Sequence, residues 1–119
     1  KYRVFVESQW LIHMLDRIAT NLKASLTTDV KGNVEAVNAK FNIDSAMEIK
    51  GIEKITNHDL KSVEYYLKKH INSYKEFLHF CCTSEDINNL AYALMLRDSL
   101  NNVVLPSMGN LHAALLNKS

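Results

Sequence analysis

The sequence predicts an all-α fold, on three observations. Apolar residues recur every three or four positions through long stretches of the chain, the period of a helix with one buried face. Only three Gly and one Pro occur in 119 residues, a scarcity of loop residues that points to helices. No stretch of useful length alternates apolar and polar residues as a half-buried strand does. With 47% hydrophobic and 23% charged residues the composition is that of a chain that folds in water, which excludes disorder, a collagen repeat and a disulfide scaffold.

From Tyr2 to about Leu26, the residues Val4, Trp10, Leu11, Met14, Leu15, Ile18 and Leu22 mark one buried helical face. The polar cluster Thr27, Thr28, Asp29, Lys31, Gly32 and Asn33 predicts a surface turn or loop. A short helix over about Ser45 to Lys54 follows, capped by Asn42 or Asp44 and carrying Met47, Ile49 and Ile52. Thr56-Asn57-His58-Asp59 supplies cap residues directly before Leu60, Val63, Tyr66, Leu67 and Ile71, a third helix ending near Asn72 or Ser73. Trp10 with Met14, and Tyr65-Tyr66 beside Val63, stand at helical spacing and read as core. After the apolar run Phe77 to Cys82, Thr83 stands three residues before Asp86 as a capping box opens a long helix. Ile87, Leu90, Ala91, Leu94, Val104 and Leu105 continue it to Pro106, where the missing N–H and the ring predict a kink or interruption before Leu111, Leu115 and Leu116.

Fourteen Lys and Arg against 13 Asp and Glu leave a formal charge of +1, so no overall attraction to nucleic acid or anionic lipid is built in. No apolar run approaches the roughly 20 residues of a membrane span, and Arg3, Glu7 and Gln9 interrupt any signal pattern at the start. The expectation is a soluble, cytoplasmic protein, with no nucleic acid and no membrane among its partners. Cys81 and Cys82 are adjacent and offer no metal-ligand spacing, and no His-x-x-x-His pattern occurs, so no metal is expected and both thiols read as reduced and buried. The chain opens in mid-helix and closes while an apolar period is running, which suggests a piece of a longer polypeptide.

Chemistry is suggested where polar clusters fall at helix starts, Thr56 to Asp59 and Thr83 to Asp86. Free N–H groups there, beside Thr and Ser hydroxyls, suit a phosphate or carboxylate. Ordinary capping explains the same residues with no ligand, and Glu85 and Asp86 repel an anion unless they point away. His58, between Asn57 and Asp59, stands where a carboxylate can fix one tautomer of its ring. His79 reads as a core histidine with a hydrogen-bond partner, and His13, His70 and His112 as solvated or structural. There is no Walker loop, dinucleotide Gly pattern or nucleophile elbow.

The block Thr56-Asn57-His58-Asp59-Leu60-Lys61-Ser62-Val63-Glu64-Tyr65 resembles the Thr-Asn-His-Asp-x-Lys-x-Val-Glu-Tyr signature of the adenylosuccinate lyase family, within the fumarase/aspartase superfamily. Leu78-His79-Phe80-Cys81-Cys82-Thr83-Ser84-Glu85-Asp86-Ile87-Asn88-Asn89-Leu90 is similar to the family's second block, and Lys1 to Leu11 to its early Arg-x-x-x-Glu-x-x-Trp-Leu helix. The resemblance spans essentially the whole chain and is weakest from Ala24 to Ala46.

What the resemblance implies is an all-helical, homotetrameric lyase that needs no metal or organic cofactor. It eliminates fumarate from adenylosuccinate to leave AMP, and from the succinylated carboxamide nucleotide of purine synthesis. Carried over residue by residue, Asn57, His58 and Asp59 match the substrate-binding triplet, and Thr83 and Ser84 the substrate-binding pair. His58 takes an orienting or charge-stabilising role. The family's Thr-His-Gly-Gln acid segment, its Gly-Ser-Ser-x-Met-Pro-x-Lys base loop and its early Arg-Tyr pair have no counterpart between Lys1 and Ser119, so no catalytic acid or base is expected here and the chain alone should be inactive. The connection from His70 to Phe77 is shorter than the family's usual one. Residues 1–80 are expected to form the N-terminal helical domain and 81–119 the start of the central helical bundle. The alternatives are another fumarate-releasing lyase, such as one acting on argininosuccinate, or a non-catalytic helical interaction module using the apolar stripe from Ile87 to Leu116.

Overall fold

The computed structural model describes the backbone of residues 1–18 and 25–118, and among them it contains helices and no strand. Helix α1 spans Tyr2–Ile18, α2 Ser25–Lys40, α3 Ile43–Thr56 and α4 Asp59–His70. After a 3-10 turn over Lys75–Phe77 come α5 (Ser84–Ser99), a π-helical turn over Leu100–Val104 and α6 (Leu105–Leu116).

Helix α1 organises the molecule because it packs on α2, α4 and α5, while α3 lies along α4. Its predicted face is the buried one: Val4, Leu11, Met14 and Leu15 join Val63, Tyr66, Leu67 and Ile71 in the main core. Burying a side chain of this size stabilises the fold by about 1.5–3 kcal/mol. Trp10, half-buried, and Ile18, exposed, stand outside this cluster although expected on the buried face, and of the tyrosine pair Tyr66 is buried while Tyr65 is exposed.

The surface loop expected over Thr27 to Asn33 is instead part of α2. Val30, Val34 and Val37 stand on one helical face and insert into the main core, and their burial outweighs the weak helix propensity of Thr, Asn and Gly around them. Helix α1 is described as far as Ile18, and Leu22 lies outside the described residues.

The short helix expected over Ser45 to Lys54 forms as α3, two residues longer at each end. The Asn42 side chain accepts the Ser45 N–H at 3.0 Å, and the Ser45 hydroxyl answers as the acceptor for the Asn42 N–H. Asn57 ends α3 in the left-handed region at φ 52°, which Asn tolerates better than most residues, and its N–H closes on the Glu53 carbonyl at 2.8 Å.

Pro106 does not break its helix. In the preceding turn the Leu105 N–H reaches back five residues to the Leu100 carbonyl, and this widening accommodates a ring that clashes with an ordinary α-turn. From Leu100 onward no described residue is buried. The rod of α5 and α6 stretches the molecule to 65 × 37 × 25 Å, and its 18.5 Å radius of gyration exceeds the roughly 13–14 Å of a compact domain of this length. No helix among the described residues is long and apolar enough to cross a membrane.

Candidate functional site

At the start of α4 the cap is a histidine ring. The Nδ1 of His58 accepts the Lys61 N–H at 3.2 Å, so the neutral ring carries its proton on Nε2, and the side chain is half exposed. The Thr56 hydroxyl donates to the His58 carbonyl at 3.2 Å and fixes the backbone that presents the ring. Asn57 is exposed beside it. The Asp59 carboxylate accepts the Leu60 N–H at 2.8 Å through Oδ1 and meets the Arg3 guanidinium at 3.0 Å through Oδ2.

At the start of α5 the capping box closes on itself. The Asp86 carboxylate accepts from both the Thr83 N–H, at 2.7 Å, and the Thr83 hydroxyl, at 2.9 Å. The Thr83 backbone contact, then its hydroxyl, hold the Asp86 carboxyl below the usual carboxylate range. Thr83 is thus committed to its own cap. Ser84, half-buried at the first helical position, makes no side-chain hydrogen bond among the described residues.

Two features tie these helix starts together. Leu60, directly after Asp59, shares a small core with Val6, Ile87 and Ala91, so the first turns of α4 and α5 pack into one cluster. Arg3 then spans them: besides Asp59, its Nε donates to Asn88 Oδ1 at 2.8 Å and its guanidinium lies 5.9 Å from the Tyr92 ring centroid. Asn88 is four residues beyond Ser84, one turn along the same helix face. Arg3, Lys1 and Lys50 line a cavity of about 280 Å³ beside Asp59 and Tyr92. A larger groove of about 690 Å³ runs between α1 and α5, but Phe5, Trp10, Leu90 and Leu94 make it apolar and unsuited to an anion.

The turn before α5 is held against α1. His79 and Cys81 both adopt left-handed backbone, at φ 62° and 57°, a strain of about 1–2 kcal/mol each for residues with a Cβ. The Trp10 indole N–H donates to the Phe80 carbonyl at 2.8 Å, and His79 Nδ1 lies 3.1 and 3.2 Å from the two oxygens of Glu7. His79 therefore has the partner its apolar setting predicts. Glu7 is wholly buried, and burial pushes its carboxyl up despite the opposing pull of the imidazole. Cys82 Sγ lies 3.7 Å from His79 Nδ1, and burial, followed by the negative charge of Glu7 and Asp86, pushes its thiol up to about 12. Cys81, expected to be buried, is exposed, because the left-handed turn carries it outward.

Arg3 and Glu7 escape sequence reasoning as site residues because their partners are more than 50 positions away. Asn88 and Tyr92, four residues apart on α5, mark the face that Arg3 addresses, while Glu7 addresses His79. His70 meets Glu48 at 3.2 Å, a structural pairing away from both helix starts.

Residues 7–119 match the profile of the lyase family. The chain is 43% identical over 112 residues to the adenylosuccinate lyase of Escherichia coli K12, a match covering 89% of this chain and 25% of that relative. It is 39% identical over 121 residues to the adenylosuccinate lyase of Vibrio cholerae, covering 97% and 26%, and 42% identical over 112 residues to that of Haemophilus influenzae, covering 89% and 25%. The chain spans about a quarter of the length of the relatives it matches.

Proposed function

The chain belongs to the lyase family, and on that premise we propose that it carries the N-terminal part of an adenylosuccinate lyase. The parent enzyme releases fumarate from adenylosuccinate to leave AMP, and from the succinylated carboxamide nucleotide to leave the carboxamide, by β-elimination. The observation that carries this reading is the joining of the two polar helix starts through the Leu60–Ile87 core and the Arg3 bridge. A nucleotide bearing phosphate and carboxylate groups needs donors close together, and the reading rests on those not used by the caps, the His58 Nε2–H and the Ser84 hydroxyl, beside the Arg3 bridge.

In this reading His58 donates from Nε2 to an anionic oxygen of the substrate while its Nδ1 stays engaged by the Lys61 amide. Asn57 and Asp59 hydrogen-bond the substrate, with Arg3 holding the Asp59 carboxylate in place. Ser84 offers its hydroxyl and backbone N–H, and Thr83 acts chiefly by fixing the helix start. Residues 1–80 form the N-terminal domain and 81–119 begin the central bundle. The apolar side chains exposed along α5 and α6, including Leu96, Val103, Met108 and Leu115, support a homotetramer in which neighbouring helices cover them; the reading as an adenylosuccinate lyase carries with it a cytoplasmic location.

The test is fumarate release by the complete polypeptide from adenylosuccinate and from argininosuccinate. Release from adenylosuccinate, reduced about 10²–10⁴-fold by His58→Ala with helix content retained, is the expected result, the size of one well-placed proton-transfer or polarising group. Release from argininosuccinate alone sinks the assignment, and near-normal turnover by His58→Ala removes that residue from the site.

A further inference from the structure

The substrate roles proposed above leave one member of the Arg3 bridge without a task of its own. Asn88 stands on α5 one turn beyond Ser84 and is only 7% exposed. Its side-chain oxygen accepts the Arg3 Nε–H at 2.8 Å. A guanidinium has donors and no acceptor, so this contact decides which way the amide faces: the oxygen meets Arg3 and the NH₂ group is turned away. That nitrogen donates to no acceptor among the described residues. Nor is it sealed inside, because every fully buried side-chain nitrogen and oxygen among them has a partner, and an unpartnered one on so enclosed a residue must open to the surface. A polar side chain nine-tenths buried normally spends its hydrogen bonds within the protein, whereas this one keeps two N–H groups unspent.

The amide stands between the two helix starts. Ser84 precedes Asn88 by four residues on the same helix face, so their side chains are neighbours. Across from them, the guanidinium that meets the Asn88 oxygen also meets Asp59 Oδ2 at 3.0 Å, so the amide is no farther from the start of α4 than one guanidinium spans. Tyr92, the next residue on this face, is engaged by the same group, its hydroxyl accepting from Arg3 at 3.4 Å. The chemistry fits as well. Arg3 already balances the Asp59 charge, so a neutral double donor beside them offers hydrogen bonds to an anionic oxygen without a further charge to desolvate.

We propose that Asn88 is a further substrate-binding residue: its amide NH₂, aimed by Arg3, donates to a carboxylate or phosphate oxygen of the nucleotide held between the two helix starts. This role rests on the lyase reading above and names a contact that the resemblance does not carry. Arg3 acts through Asn88 and is a positioning residue.

The experiment measures fumarate release from adenylosuccinate by the complete polypeptide, with AMP and fumarate as product inhibitors. Asn88→Leu removes the amide at similar volume, and Asn88→Asp keeps an oxygen for Arg3 while losing the donor. Both should raise KM and the inhibition constant of one product by about 10–100-fold, the loss of one hydrogen bond to a charged group. A rise for fumarate identifies a carboxylate as the partner, and a rise for AMP the phosphate. Circular dichroism establishes that each variant is folded, and Asn88→Ala replaces Asn88→Leu if the latter is not. If Asn88 merely braces the helices, Asn88→Asp preserves the bridge and binds normally, and that result overturns the proposal. A rise in Asn88→Asp alone overturns it too, since the added charge then explains the loss. Arg3→Lys keeps the charge but not the directed Nε–H, and should raise the same constant less in the Asn88→Leu background than in wild type. Equal rises in both backgrounds overturn the aiming by Arg3. Wild-type protein that releases no fumarate from adenylosuccinate defeats the lyase reading and this role with it, whereas normal wild-type turnover with unmoved variants defeats the role of Asn88 alone.

Discussion

At the start of α4 the cap is an imidazole, and the neighbouring Asp59 carboxylate turns out to Arg3 on another helix. At the start of α5 the Asp86 carboxylate folds back onto Thr83 and completes the cap within four residues. Both segments carry an uncharged capping group and an acid, yet one is fixed by tertiary partners and the other by its own turn. The difference shows two ways of fixing a helix start. Where the acid is held by a distant cation, the capping ring keeps its second nitrogen out of the cap; where the acid closes the box, the hydroxyl of the next residue, Ser84, stays outside it.

The strongest way to break this comparison is to cut the joint between the two starts. Leu60→Ala and Ile87→Ala each empty a site at most 2% exposed in the shared core and should cost about 2–5 kcal/mol in urea unfolding of the full chain. A loss below about 1 kcal/mol in both would mean the two starts are not mechanically joined. A smaller effect sharpens the contrast: Thr83→Ala should cost about 1 kcal/mol, with faster amide exchange confined to the first turn of α5. Spread of the protection loss into α4 would contradict a self-contained cap.

The least effect is expected from pH. The Asp86 carboxyl is held below its ordinary value in the folded chain, so its contribution is present above the unfolded pKa of about 3.9 and is lost as pH falls toward the lower folded value. Asp86→Asn should therefore melt earlier than wild type near neutrality, with the gap closing below about pH 4. A gap that stays constant to low pH would show that the carboxylate charge is not what closes the box.

The starts of α4 and α5 are legible in the sequence because capping demands particular residue types, as in the cluster Thr56 to Asp59 and in Thr83 three residues before Asp86, whereas at α3 the choice between Asn42 and Asp44 stays open until Ser45 is seen to close the box with Asn42. Helix α2 is not read, since Thr27, Thr28, Gly32 and Asn33 argue locally for a loop. The signal that decides it is Val30, Val34 and Val37, whose burial against α1 is a tertiary term that propensity cannot weigh. The Arg3 bridge and the Glu7–His79 pair are invisible for a related reason: they exist only once α1 lies across α4 and α5. The outward turn of Cys81 follows from left-handed backbone at two residues, for which neither His79 nor Cys81 gives a compositional hint.

The π-turn ahead of Pro106 has a consequence for the far end of the rod. One extra residue is taken up in that wide turn, so side chains beyond it stand one place behind where an uninterrupted α-helix would put them, an offset of about 100° around the axis. The exposed leucines of α6 are thus rotated by that offset from where a continuation of α5 would carry them, so the apolar surface of the rod does not run on as one straight stripe.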